Sequence, residues 1–168
     1  DMAENQKQVQ YDIEGSDVIT AALLTLLNTY PALQSGDKIT FATLADNKGK
    51  ALFPSTGAII EADFKDILGN HHQRCIYPFT VVYRAGALTE QRRIAVKGWL
   101  DDLGRWLEQQ AILVNGTEYA LSEYPALGAG RTMTEIKRTT PGYLSNIYDN
   151  KTEDWAISIS ARYRNDFD

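Results

Sequence analysis

The chain has 168 residues, 43% of them hydrophobic and 10% aromatic, which suits one globular domain with a proper core and excludes an intrinsically disordered chain. Its net charge of −5 lacks the basic excess of a protein whose main task is gripping nucleic acid, since Arg92-Arg93 and the Arg131…Lys137-Arg138 segment do not extend into a longer basic run. The single cysteine excludes an intramolecular disulfide, and no apolar run approaches the about 20 residues of a membrane-spanning helix.

Residues 1–15, with Asn5, Gln6, Lys7, Gln8 and Gln10, are polar and read as a flexible N-terminal segment. Nothing in them resembles a signal peptide, so the chain is expected in the cytoplasm of its cell, and the Asn115-Gly116-Thr117 and Asn150-Lys151-Thr152 triplets are expected to be unmodified turns. Residues 16–168 read as a single α+β domain.

The first helix is expected from Ser16 or Asp17, either of which can cap it, with Ile19, Ala22, Leu23, Leu26, Leu27 and Tyr30 recurring at helical spacing until Pro31 ends it. Val18, Ala21 and Leu24 lie off that stripe, where a surface helix normally carries polar residues, so the helix is either buried deeply in its own domain or turns an apolar edge to another subunit. Residues 38–44 alternate as a strand and stop at the turn-rich 45–49. Residues 57–68 alternate again, with Ile60, Ala62 and Phe64 on one face. Gly69-Asn70-His71-His72 then turns the chain into a second arm over 73–85, where Cys75, Tyr77, Phe79, Val81 and Tyr83 share a face. This pair is the clearest hairpin in the sequence, and Phe64 is expected to face the same core as the second helix. Pro78 implies an edge position or a bulge, because proline cannot donate to a ladder.

Thr89 caps the second helix, in which Val96, Trp99, Leu100, Leu103, Trp106 and Leu107 return every three to four residues. A less regular stretch follows, with Asn115-Gly116, Pro125, Gly128 and Gly130. Two strands close the chain, Thr132 to Arg138 and a nearly ideal alternation through Trp155, Ile157, Ile159, Ala161 and Tyr163. The predicted fold is a largely antiparallel, mixed β-sheet with two main helices packed on one face. Ala45–Gly57, Gln110–Gly130 and Thr139–Asp154 are the loops expected to order against partners.

No catalytic, cofactor-binding or metal-binding residue is assigned. His71 and His72 are neighbours in an expected turn, with only Cys75, Asp63 and Asp66 nearby as ligand types, and adjacent strand residues point to opposite faces. Gly128-Ala129-Gly130-Arg131 lacks the Lys-Ser/Thr of a phosphate loop and the third glycine of a dinucleotide fingerprint. Asp101 and Asp102 diverge by about 100° on a helix and read as solvated. Cys75, in an apolar strand without an activating partner, reads as a small buried hydrophobe. The expectation is a protein that is not an enzyme and uses no cofactor.

The order of elements, the Trp-rich helix ending Trp99-Leu-Asp-Asp-Leu-Gly-Arg-Trp106, the Arg131-Thr-Met-Thr-Glu-Ile-Lys-Arg138 and Thr140-Pro-Gly-Tyr143 segments, and the closing Trp155-Ala-Ile-Ser-Ile-Ser-Ala-Arg-Tyr163 strand together carry a likeness. Over most of residues 16–165 the chain resembles the minor capsid or tail terminator proteins of long-tailed bacteriophages. That resemblance implies a virion structural protein at the head–tail junction, assembled in the host bacterial cytoplasm. It would cap the tail tube and join it to the head connector. It also implies a homo-oligomeric ring, a hexamer in that family, with the tail tube protein and the head completion or connector protein as partners. DNA would pass through without specific binding, in keeping with the acidic net charge. The competing reading is a monomeric binding or regulatory module of a mobile genetic element.

Overall fold

The structure, a computed structural model, describes residues 8–168; residues 1–7 of the segment read above as flexible lie outside the described residues. Among the described residues the order is β1 (Gln10–Tyr11), α1 (Ile13–Leu27), β2 (Ile39–Phe41), β3 (Gly49–Pro54), β4 (Ile59–Lys65), β5 (His71–Ala85), α2 (Glu90–Leu107), β6 (Ile112–Val114), β7 (Thr117–Tyr119), β8 (Arg131–Arg138), β9 (Tyr143–Ile147) and β10 (Glu153–Phe167). The fold is α+β, with a large, mainly antiparallel sheet and both helices on one face, as the alternation and the amphipathic stripes predict.

The two 15-residue strands β5 and β10 form the spine, paired without a break from His71↔Phe167 to Ala85↔Glu153. Because paired residues share a face, Cys75, Tyr77, Phe79 and Val81 stand beside Tyr163, Ala161, Ile159 and Ile157, and all eight are buried. β4 flanks the upper half of β5 and β3 its lower half, while β8 and β9 divide β10 in the same way. β2 joins β3 in parallel. Its 3-residue length lets a short loop return the chain, where longer parallel strands need a crossover of a dozen residues or more.

The cap of α1 lies four or five residues earlier than the expected Ser16 or Asp17. Asp12 caps it by accepting from the Gly15 N–H at 3.0 Å, and Ser16 is used instead to accept from the Ala58 N–H at 2.7 Å. Gln10–Tyr11 pair with Ile60–Ile59, so residues 10–15 belong to the folded domain. Ile19, Leu23, Leu26, Leu27 and Tyr30 are buried against the sheet, Ala21 is exposed, and Leu24 is half-buried against the same core. α2 starts at Thr89, whose side chain accepts from the Arg92 N–H, and buries Val96, Leu100, Leu103, Trp106 and Leu107. Tyr30 ties the two helices, with its ring 5.1 Å from Trp99 and 5.5 Å from Trp106.

The β4–β5 hairpin forms as predicted, but Phe64 does not face the core. The register shifts between Ile60 and Ala62, so Glu61 is the extra residue of a bulge. Ile60 therefore pairs with buried Cys75, whereas Ala62 pairs with exposed Arg74 and Phe64 with His72, leaving Phe64 53% exposed. Pro78 lies mid-strand in β5, neither on an edge nor in a bulge of its own. It falls between the stretches held by β3 and β4, and its carbonyl accepts the Ser55 N–H at 3.0 Å. In an antiparallel strand the N–H and C=O of one residue point to the same side, so the donor Pro78 lacks faces the break where no partner strand asks for it.

Each segment expected to be a loop contains regular structure. β3 crosses 45–57, β9 crosses 139–154, and β6–β7 form a hairpin within 110–130. Asn115 and Gly116, at φ +50° and +80°, make the two-residue turn that matches strand twist in such hairpins.

Candidate functional site

The sheet has one face covered by the helices and one that neither helix reaches. On the open face the ladder sets Ala51 beside Val82, Phe53 beside Thr80, Ile59 beside Ile76, and Ser160 beside Pro78. Phe53, Ile59, Ile76, Pro78, Thr80 and Val82 are all half-buried, giving a largely apolar strip across β3, β4 and β5, which β10 borders with Arg162 opposite Ile76 and β8 with Glu135 and Lys137. Tyr143 of β9 extends the strip beyond Ala156 at 37% exposure.

Above the strip the chemistry changes to charge. Arg162 is paired with Glu61 of the bulge, but Arg74 and Arg164 stand directly opposite each other on β5 and β10. Both are exposed, and neither forms an ion pair among the described residues. Like charges directly opposed across a ladder destabilise it. Nothing in the folding of the isolated subunit calls for them.

The strand ends at a cluster that the sequence placed in a turn. His71 and His72 are half-buried members of β5, and the turn is Asp66–Asn70. His72 lies 2.8 Å from Asp166 through Nδ1 and 3.0 Å from Asp66 through Nε2, while His71 stacks on Phe167 at 4.7 Å. With a carboxylate oxygen at each nitrogen, both ring N–H groups donate, which requires the imidazolium form. The hydrogen bonds to Asp66 and then Asp166 raise the His72 pKa above 6.5, and the bond from His72 holds Asp66 well below the usual carboxylate range. The sign follows: this clamp on the turn is fully present below the unfolded His pKa of about 6.5 and is lost as pH rises through the raised folded value. Imidazole C–H NMR titration should place His72 above 6.5. Amide exchange at Leu68 and Asn70, whose N–H groups Asp66 accepts, should quicken above that midpoint.

The remaining candidates have structural partners. Cys75 is buried, and desolvation pushes its thiol up to about 11, so it is not a thiolate at neutral pH. Asp101 accepts from Lys97 and from the Gly142 N–H, both at 2.7 Å, while Asp102 turns to Arg105 at 2.7 Å. The Gly128–Arg131 run is a tight turn whose Gly130, at φ +79°, lies so close to the Asp166 carbonyl that a Cβ would sit 2.1 Å from it. That turn delivers Arg131 to Asp12, with contacts of 3.0 and 2.8 Å. Among the described residues no group of three or more His, Cys, Asp or Glu side chains is arranged to hold a metal, and no helix is long and apolar enough to cross a membrane.

Neither a scan against protein-family models nor a search of curated proteins finds a match for this chain.

Sequence reasoning missed the ion pairs that tie β5 and α2 to β10, and β8 to the end of α2. Arg84 grips Asp154 at 2.8 and 2.9 Å with the Tyr148 hydroxyl donating to the same carboxylate, Arg93 meets buried Glu153 at 3.0 Å, and Arg138 meets Glu108 at 2.7 Å. The available signal was Glu153-Asp154 at the head of an otherwise apolar strand, since buried carboxylates require partners. The 139–152 arm is held by the Gly142 N–H donating to Asp101, the Tyr148 hydroxyl donating to Asp154 and the β9–β10 ladder, which set Tyr143 beside the open face.

Proposed function

We propose that this chain is a virion structural subunit at the head–tail junction of a long-tailed phage, capping the tail tube and joining it to the head connector as a homo-oligomeric ring. The observation that carries this reading is the half-buried, largely apolar strip of β3–β5 from Phe53 to Val82, beside Arg74 and Arg164, which form no ion pair among the described residues. An assembly subunit keeps such a face for a neighbour, whereas a solitary one would fill it with polar side chains. The resemblance in element order to tail terminators supports a position at the tail end of the particle. The acidic net charge of −5 suits a passage through which DNA slides by like-charge repulsion.

Depleting the protein from an infected or induced host should yield tails of unregulated length that fail to join heads, and the protein should co-sediment with purified virions. A chain absent from virions and dispensable for tail length would instead favour the monomeric module, and native mass measurement would then show a lone subunit at high concentration.

A further inference from the structure

We infer that the open sheet face receives the outer side of α1 from a second copy of the chain, with Glu14 and Asp17 of that copy meeting Arg74 and Arg164. This rests on the ring-forming reading above and names its contact. The outer side of α1 carries Glu14, Asp17, Val18, Ala21 and Thr25, opposite Ile19, Leu23 and Leu27, while Leu24 on the flank packs against its own core. Glu14 and Asp17 are exposed and make no ion pair among the described residues. The helix thus reads acid first and mainly apolar after. Strand β5, followed on its open face from Arg74 through Ile76 and Pro78 to Val82, reads base first and mainly apolar after.

The spacings agree as well as the signs. From Asp17 the helix advances about 6 Å to Ala21. From Arg74 the strand advances about 7 Å to Ile76. A helix laid along the strands therefore sets Ala21 over Ile76, beside the Arg162–Glu61 ion pair, while its acids reach the arginines and Leu24 stays on its own core. Ala21 is small and exposed, which allows the backbone to approach a flat sheet. The contact covers the bare face with the same kind of element that covers the other one. Because α1 and the open face lie on opposite sides of the subunit, the contact is head-to-tail, which generates rings when the rotation closes.

The test uses the full chain, read by sedimentation velocity alone and by copies bound to purified tails. Asp17→Arg and Arg74→Asp should each shift the assembly midpoint by about tenfold or more, as charge pairs across an interface do. The combined variant, with the signs exchanged, should return to within about threefold of the natural chain, since a direct pair shows up as non-additivity. Ala21→Arg should block assembly by bulk. All three positions are exposed, so unchanged melting of the dilute subunit separates interface loss from unfolding. Single reversals that leave a formed oligomer untouched, or an exchange that restores nothing, would overturn this contact while leaving the ring reading in place. A chain that neither oligomerises nor binds tails would overturn both.

Discussion

Asp12→Ala is expected to lower the stability of the subunit by about 3–5 kcal/mol, the usual consequence of stranding one partner of a buried ion pair. Asp12 is 7% exposed and serves three elements at once. One carboxylate oxygen accepts from the Gly15 N–H and from Arg131, and the other accepts from Arg131 and from the Tyr163 hydroxyl at 2.7 Å. Removing it leaves Arg131, whose side chain is 9% exposed, charged and unpaired, and removes the cap of α1. Burial alone would raise the Asp12 pKa, but the hydrogen bonds from Arg131 and Tyr163 overcome it and the net shift is downward from 3.8. A depressed carboxylate contributes stability above its unfolded pKa and loses it as pH falls through the folded one. The natural chain should therefore lose stability below about pH 4, with a smaller acid-dependent loss in the variant. Denaturant titrations at neutral and acid pH read both effects. Arg131→Met added to Asp12→Ala should recover part of the loss, because it removes the stranded charge.

This network also shows where sequence reasoning stops. Periodicity is local, and it located both helices, the β4–β5 hairpin and the long closing strand, because apolar positions at 3.6 or 2 residues are visible within one segment. The Asp12–Arg131 pair spans 119 positions and leaves no local trace. The start of α1 was placed at Ser16 or Asp17 because both are good caps, yet only the pairing of Gln10–Tyr11 with β4 decides that Asp12 does the work. Phe64 turned outward because one extra residue reverses facing, and no composition signal shows that Glu61 is the residue looped out. Short strands β3 and β9 were lost among turn residues, since their partners, not their own propensities, hold them. Arg74 and Arg164 are unremarkable until the β5–β10 register sets them side by side. Of the three off-stripe positions of α1, Leu24 packs against its own core and Ala21 is exposed, a difference that spacing alone does not show.

Trp106→Ala should cost about 3–5 kcal/mol, matching the range for deleting a large aromatic from a packed core. Trp106 is 4% exposed, and its ring lies 5.5 Å from that of Tyr30, so it fastens α2 to the end of α1. Trp99 makes a useful contrast. It is half-buried, packs edge-on to Tyr30 at 5.1 Å and Tyr83 at 5.2 Å, and donates its indole N–H to the Ala32 carbonyl at 3.0 Å. Trp99→Phe keeps an aromatic ring and loses one hydrogen bond, for which about 1 kcal/mol is expected. Thermal melting of the dilute subunit should therefore rank Trp106→Ala well below Trp99→Phe. Both side chains lie on the helix side of the sheet, away from Arg74 and Phe53, so neither change should touch the proposed subunit contact. Association that requires the folded subunit raises apparent stability with concentration. The melting temperature of Trp106→Ala should accordingly climb as protein is added, while that of Arg74→Asp should stay flat. A core defect and an interface defect are then told apart by one concentration series.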